Sequence, residues 1–332
     1  MILTVTLNAA VDITYRLDRV AQHGSNRIDT VTQRAGGKGV NVARVLAALG
    51  HDTVVTGLAG GTTGHALRAD LAAAGLRDEL VPVEGETRRT VTVVEQTAGD
   101  ATVYLEPGPV VSAEEWSDFT VRYRRLLRTA QAVVLSGSLP VGVPPDAYGT
   151  LVALAVEAGV PAVLDAEGPA LRAGLPAGPA LVKPNAAELA ATAGPVDPLT
   201  GARMLRAAGA RAVVVSLGPG GLLASTPDGD WRARPPEQVR GNPTGAGDSA
   251  VAALTVGLVT RTPWPERLAD AVALSAATVL APLAGSFDPA DHRRLLPLVQ
   301  VRPVYPAGPV PARTTPSRTT PSSGPQEEPC PS

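Results

Sequence analysis

Short, unbroken apolar runs punctuate this chain, and longer stretches with helical spacing separate them. Ala132-Val133-Val134-Leu135, Pro161-Ala162-Val163-Leu164, Ala180-Leu181-Val182 and Arg211-Ala212-Val213-Val214-Val215 show no polar alternation. A strand that is apolar on both sides has to be covered on both faces, as central parallel strands are. Helices are expected at 112–130, 144–158, 185–193 and 198–209. Strand–helix alternation of this kind builds right-handed βαβ units, and so an α/β fold with a doubly wound, mainly parallel sheet flanked by helices. Ligands of such sheets sit beyond the carboxyl ends of the strands. The opening Met1-Ile2-Leu3-Thr4-Val5-Thr6-Leu7 has no basic leader and reads as a first strand, not a secretion signal.

Two regions, 11–35 and 87–106, break this pattern with period-two alternation. Examples are Arg89-Thr90-Val91-Thr92-Val93-Val94-Glu95 and Ala101-Thr102-Val103-Tyr104-Leu105. They predict half-exposed antiparallel strands, with Gly99-Asp100 at a hairpin turn. A small β-sheet projecting from an α/β body suits a lid over a site or a contact between two copies of the chain. From Arg302 to Ser332, Pro, Thr and Ser dominate and Tyr305 is the one aromatic residue. Such a segment cannot bury enough apolar surface to offset its chain entropy, so it reads as a disordered tail. One domain over 1–301, carrying the lid, and a tail over 302–332 is the expected organisation.

Composition narrows the function. Of 332 residues 44% are hydrophobic, yet only 3% are aromatic, so the core is built from Ala, Val and Leu. Twenty-nine basic against 31 acidic side chains give a net charge of −2, which provides no field for nucleic acid or an anionic membrane. The single cysteine, Cys330, excludes an internal disulfide and a cysteine-based zinc site, and points to the cytoplasm. No apolar run approaches the ~20 residues that span a bilayer. His23, His51, His65 and His292 have no metal-site spacing.

Candidate chemistry gathers at glycine-rich helix starts. Gly241-Asn242-Pro243-Thr244-Gly245-Ala246-Gly247-Asp248-Ser249 leads into an apolar helix. Glycines there leave backbone N–H groups open, and the helix dipole adds positive potential, so a developing phosphoryl charge would be stabilised. Asp248, in the first turn, can take a proton from an attacking hydroxyl. No Gly-Lys-Ser/Thr follows, so this is not a Walker A loop, and an ordinary loop with a helix-start Asp is the plainer reading. Arg34-Ala35-Gly36-Gly37-Lys38-Gly39-Val40-Asn41-Val42-Ala43 opens a second helix, where Lys38 offers a point charge and Asn41 an amide. The plainer reading there is a tight turn with an exposed lysine. In Val182-Lys183-Pro184-Asn185-Ala186-Ala187-Glu188-Leu189, Glu188 can hold Mg²⁺ through water, or Asn185 and Glu188 can form a capping box. Ser136-Gly137-Ser138-Leu139-Pro140 and Ser216-Leu217-Gly218-Pro219-Gly220-Gly221 follow strands, and Asp12 follows the first strand, where a carboxylate can grip sugar hydroxyls.

In this combination and order the blocks resemble the PfkB branch of the ribokinase-like sugar kinases, over about residues 1–300. Within that branch they are most similar to the 1-phosphofructokinase and tagatose-6-phosphate kinase group. The resemblance implies ATP- and Mg²⁺-dependent phosphoryl transfer to a hydroxyl of a phosphorylated hexose, with fructose-1-phosphate to fructose-1,6-bisphosphate as the leading reaction. It makes Asp248 the base and Gly245, Ala246 and Gly247 the anion hole. It places Asp12, Gly37, Asn41 and Ser138 on the sugar, and Lys38, Arg27 and Arg88 near its phosphate. Lys183, Asn185, Ser216, Gly218, Gly221 and Thr244 fall on the nucleotide side, with Asn185 and Glu188 serving Mg²⁺. Two departures stand out: Asn8-Ala9 replaces the family's Asn-Pro, and Thr90 and Thr92 stand where the group often has Asn and then Lys. A kinase for a plain sugar or nucleoside, or a non-catalytic sugar-phosphate sensor, are the alternatives. A sensor would have lost the base or the anion hole, and both are present. A dinucleotide-binding oxidoreductase is disfavoured, because no Gly-x-Gly-x-x-Gly turn follows the first strand. The implied partners are ATP and a small sugar phosphate, with a homodimer through the lid.

Overall fold

The computed structural model describes residues 1–97, 100–235, 239–281 and 283–305. In chain order the first part comprises β1 (Ile2–Thr6), β2 (Ala10–Leu17), β3 (Thr30–Gly36), α1 (Lys38–Ala48), β4 (Thr53–Gly60), α2 (Gly61–Ala73), β5 (Arg77–Asp78), β6 (Val81–Val83), β7 (Arg88–Glu95) and β8 (Asp100–Leu105). Then come α3 (Ala113–Leu127), β9 (Ala132–Ser136), α4 (Ala147–Glu157), β10 (Ala162–Asp165), α5 (Gly168–Gly174), β11 (Leu181–Val182), α6 (Ala186–Ala193), α7 (Pro198–Ala207) and β12 (Val213–Ser216). The chain closes with β13 (Leu222–Thr226), β14 (Gly229–Arg234), α8 (Ala246–Val259), α9 (Trp264–Leu280), α10 (Pro289–Leu295) and β15 (Gln300–Pro303). All four apolar runs are strands, and the four expected helices are α3, α4, α6 and α7.

The main sheet runs β15-β14-β13-β12-β11-β10-β9-β1-β4-β5, with β6 also paired to β4. Pairing is parallel from β4 through β1, β9, β10 and β11 to β12, and antiparallel from β12 to β15. Neighbouring residues of one strand enter opposite cores. Leu3, Val5, Val133, Leu135, Val213 and Val215 pack with Phe119, Tyr123, Tyr148 and Leu151 on one face. Ile2, Val134, Val163 and Val214 pack with α1, α8 and α9 on the other. Burial on both faces accounts for the uninterrupted apolar runs.

A second sheet, ordered β3-β2-β7-β8, is the small sheet expected as a lid. Its outer pairs are antiparallel as expected, but β2 and β7 run parallel in the middle. Alternation along a strand fixes which side chains share a face; it does not fix the direction of the partner strand. Cross-strand partners place Asp12, Arg34, Thr90 and Arg88 on one lid face. Val11, Ile13, Ala35 and Val91 occupy the opposite face, packed with Leu67 and Leu71 of α2. Gly99 of the expected turn lies outside the described residues, and Asp100 begins β8.

Order also continues past the compositional boundary at Arg302. Arg302 pairs with Arg232, and Pro303 with Trp231, in the outermost strand of the main sheet. An edge strand needs no donor on its free side and so tolerates proline. Residues 306–332, with Cys330, lie outside the described residues.

Candidate active site

The carboxyl ends of β1, β9, β10, β11 and β12 deliver Asn8, Ser138, Asp165, Lys183 and Ser216 to one edge of the sheet. The starts of α1 and α8 face the same edge through charged contacts. Helices α3, α6, α7 and α10 are capped by Ser112, Asn185, Asp197 and Asp288. Neither α1 nor α8 has a side-chain cap. Gly245 enters α8 at φ 83, a left-handed turn that a side chain would strain. Ala246 N–H bonds back to Pro243 O at 3.2 Å, and Ser249 N–H to Gly245 O at 2.9 Å. Among the described residues no acceptor takes the N–H groups of Gly247 and Asp248 between them. The open donors are therefore those of Gly247 and Asp248, while that of Ala246 already has a partner. Ser275 Oγ donates to Ala246 O at 2.8 Å and secures this turn against α9.

Asp248 is buried, and Asn41 Nδ2 donates to its Oδ2 at 2.9 Å. Burial, reinforced by the nearby Asp165 carboxylate, pushes the Asp248 pKa up to about 7; the Asn41 bond and the Lys38 and Lys183 ammonium groups oppose the rise. A carboxylate poised near neutrality can accept a hydroxyl proton and release it again. Asn41, expected on the sugar, is thus a hydrogen-bond partner of the Asp248 carboxylate.

Asp165 is the residue that sequence reasoning missed. It is 1% exposed, with Lys183 Nζ 3.4 Å from one oxygen and Lys38 Nζ 3.7 Å from the other. Lys38 also lies 3.8 Å from Glu188 Oε1. Burial pulls the Lys38 pKa down, but Asp165, Glu188, Asp248 and Glu167 outweigh it and hold the ammonium above the ordinary lysine value. Its place at the end of an apolar strand was the available signal. Lys38, expected near the sugar's phosphate, stands among the carboxylates of Asp165, Glu188 and Asp248.

At α6 the structure shows the capping-box reading of the motif. Asn185 Oδ1 accepts from Glu188 N at 2.8 Å and Glu188 Oε2 from Asn185 N at 2.8 Å, a complete capping box. The other Glu188 oxygen faces Lys38. Next to it opens a cavity of about 790 Å³, lined by Asn185, Ser216, Gly218, Gly221, Ala246 and Gly247 on its polar side and by Val272, Ala276 and Val279 on its apolar side. Its volume is in the range of drug-sized ligand pockets. Thr244 is exposed and outside that lining, its N–H held by Asn242 Oδ1 at 3.0 Å.

The lid contributes a second cluster. Asp12 presses against Gly36, where any Cβ would overlap its carboxylate. Burial pushes the Asp12 pKa up to about 6, against a Thr90 hydrogen bond and the guanidinium groups of Arg88, Arg34 and Arg44. Arg88 Nε donates to Asn8 O at 3.2 Å, and Arg34 Nη1 to Ala284 O at 2.9 Å. Among the described residues neither arginine forms an ion pair. Asn8 Nδ2 donates to Ser138 Oγ at 3.0 Å, which ties the ends of β1 and β9 together. Gly37 is the N-cap of α1 beside them. Arg27 does not join this cluster within its own chain. It is exposed in the β2–β3 connection, beyond the Arg16–Thr30 end of the ladder and away from the Asp12–Arg34 end.

The model of pfkB family carbohydrate kinases matches residues 5–291. The chain belongs to the PfkB family. This PfkB kinase is similar to phosphofructokinase-2 from Escherichia coli solved with fructose-6-phosphate, at 29% identity and a TM-score of 0.81 over 89% of this chain and 98% of that one. It is also similar to a Thermotoga maritima protein described as a possible 1-phosphofructokinase, at 27% identity and a TM-score of 0.84 over 92% and 99% of the two chains. Ribokinase from Arabidopsis thaliana with ribose and ATP shares the fold at 22% identity, with a TM-score of 0.71 over 89% and 98%. The PfkB kinase is accordingly a carbohydrate kinase, built on the ribokinase-like fold.

Proposed function

We propose that this PfkB kinase transfers the γ-phosphoryl group of ATP to a hydroxyl of a phosphorylated hexose, first fructose-1-phosphate, with tagatose-6-phosphate and fructose-6-phosphate as neighbouring substrates. Phosphoryl transfer asks for in-line placement, neutralisation of spreading charge and one carboxylate on the attacking oxygen. Asp248 receives the hydroxyl proton, and the Gly247 and Asp248 N–H groups face the transferred group. ATP occupies the cavity along Ser216, Gly218 and Gly221, with its phosphates towards Lys183 and Lys38. Asp12 grips sugar hydroxyls.

The observation that carries the phosphorylated acceptor is the pair Arg34 and Arg88, half-buried beside Asp12 and, among the described residues, without a carboxylate ion pair. Guanidinium groups left in that state fit a bidentate phosphate. Arg34 supplies a cation on the lid face where the related group often has lysine and this chain has Thr92.

The donor set suits Mg²⁺. Asp165 Oδ1 is buried without a hydrogen bond, Glu188 lies on the other side of Lys38, and among the described residues no cluster of three or more acidic, His or Cys side chains could cage a metal alone. Glu188 and Asn185 would hold the ion through water while ATP completes its oxygen shell. When bound it neutralises phosphate charge. Among the described residues no helix is long and apolar enough to cross a membrane, in keeping with a cytoplasmic kinase. Two chains would pair through their lids.

A coupled ADP-release assay against fructose-1-phosphate, fructose-6-phosphate, tagatose-6-phosphate, fructose and ribose tests the reading. Turnover of a phosphorylated hexose well above that of fructose and ribose is the expected result. Turnover of fructose or ribose alone would overturn it.

A further inference from the structure

The short segment that follows α9, residues 283–286, touches three parts of the site carried by three different elements. From the lid, Arg34 Nη1 donates to Ala284 O at 2.9 Å, the one hydrogen bond of that side chain among the described residues. From α1, Asn41 lies so close to Gly285 that a Cβ there would come within 3.0 Å of its Cα and 3.2 Å of its Cβ. From the α8 turn, a Cβ on Gly245 would meet Gly285 N at 2.8 Å and Ala284 Cα at 3.0 Å. Ser286 Oγ donates to Leu283 O at 2.5 Å and closes the segment on itself.

These contacts connect the two ends of the reaction. Arg34 stands directly across the β2–β3 ladder from Asp12, so any shift of the lid over the acceptor moves it. Asn41 holds Asp248 by its amide. Gly245 precedes the Gly247 and Asp248 N–H groups that meet the transferred phosphoryl group. A turn with a positive φ and no side-chain cap has little of its own to hold it in one conformation, so the segment packed behind it must do so.

We propose that Arg34 is a positioning residue: by pinning the Ala284 carbonyl it holds residues 284–285 against Gly245 and Asn41, so that seating the lid and forming the anion-stabilising turn are one event. The proposal goes beyond phosphate recognition by Arg34, and takes from the proposed function only that the lid closes over the acceptor. A turn completed in this way limits loss of the γ-phosphoryl group to water when no acceptor is present.

The test uses the full chain with Arg34→Met, which keeps bulk without donors, and Arg34→Lys, which restores a charged donor. Without any ligand, hydrogen exchange at the bonded amides of the turn, Ala246 and Ser249, should quicken by about 10-fold in Arg34→Met while β1, β9 and β10 keep their protection. With the acceptor that wild type uses, kcat should fall about 10- to 100-fold, since small misplacements cost that much. The KM for ATP should stay within about twofold, and Arg34→Lys should regain part of the lost kcat. Unchanged exchange at Ala246 and Ser249 overturns the proposal. So does a rise in acceptor KM at unchanged kcat, which would leave Arg34 a phosphate contact only. Should Arg34→Met loosen the main sheet as well, the Lys variant decides: partial protection at Ala246 and Ser249 supports the proposal, and protection equal to that of Met overturns it. The exchange readout needs no acceptor, so a silent substrate panel would refute the proposed function and leave this inference to be judged on exchange alone.

Discussion

At Asp248 a single hydrogen bond decides how useful a costly carboxylate is. Removing a carboxylate from water raises its pKa; the Asn41 amide and two lysines bring it back to about 7, where it is ionised in a substantial fraction at physiological pH. Asp248→Asn keeps the shape and removes the base, so kcat should fall by about 10²- to 10⁴-fold with the KM for ATP little changed. In wild type, kcat/KM should rise with pH through about 7, and Asn41→Ala should shift that limb to higher pH. Stability follows the opposite course. A carboxyl whose folded pKa is raised binds its proton more tightly folded than unfolded, so its charging weakens the fold as pH rises from about 4 to about 7. The Asp248→Asn protein should gain melting temperature relative to wild type between pH 5 and pH 8, measured by scanning calorimetry. A gap independent of pH would contradict the burial argument.

Elements explain why some of this was legible in the sequence and some was not. The uninterrupted strands were legible because two-sided burial leaves no polar position to confuse with a loop. The helix starts were legible as glycine clusters, but not the pairing of their contents. Lys38 and Lys183 are far apart in sequence and meet only through Asp165, a lone acid ending a short strand that looks like any turn residue. The parallel β2–β7 pair was hidden because alternation is the same in either direction. At Asn185 and Glu188 the cap uses one oxygen of Glu188 and leaves the other facing Lys38, a contact that the capping signature alone does not reveal. A sharper test of element placement is Gly36→Ala. Its added methyl would overlap the Asp12 carboxylate, so the acceptor KM should rise at least about 10-fold while the fold, read by circular dichroism, stays intact. Equal KM values would show that Asp12 does not grip the acceptor.

For the whole molecule, the lid sheet leaves apolar side chains in solvent along β3 and β8: Val31 is 52% exposed, Val103 53% and Leu105 68%. Open strand edges with apolar residues invite pairing with a second copy. Analytical ultracentrifugation should therefore find a dimer at micromolar concentration, and Val103→Asp with Leu105→Asp should return it to monomer. A wild-type monomer would remove the lid as an interface. Of the 32 prolines nine follow Arg302, and Pro303 lies in the last described strand, while Gly37 and Gly245 open α1 and α8. A net charge of −2 is compatible with binding small anions because the cations are local: Lys38 and Lys183 around Asp165, Arg34 and Arg88 beside Asp12. The most direct test of the phosphorylated acceptor is the ratio of kcat/KM for fructose-1-phosphate to that for fructose, in wild type and in Arg88→Met. The account predicts a ratio of about 100 or more in wild type that drops at least about 10-fold in the variant, chiefly through the phosphorylated sugar; a ratio near one in wild type, or one that Arg88→Met leaves unchanged, would contradict it.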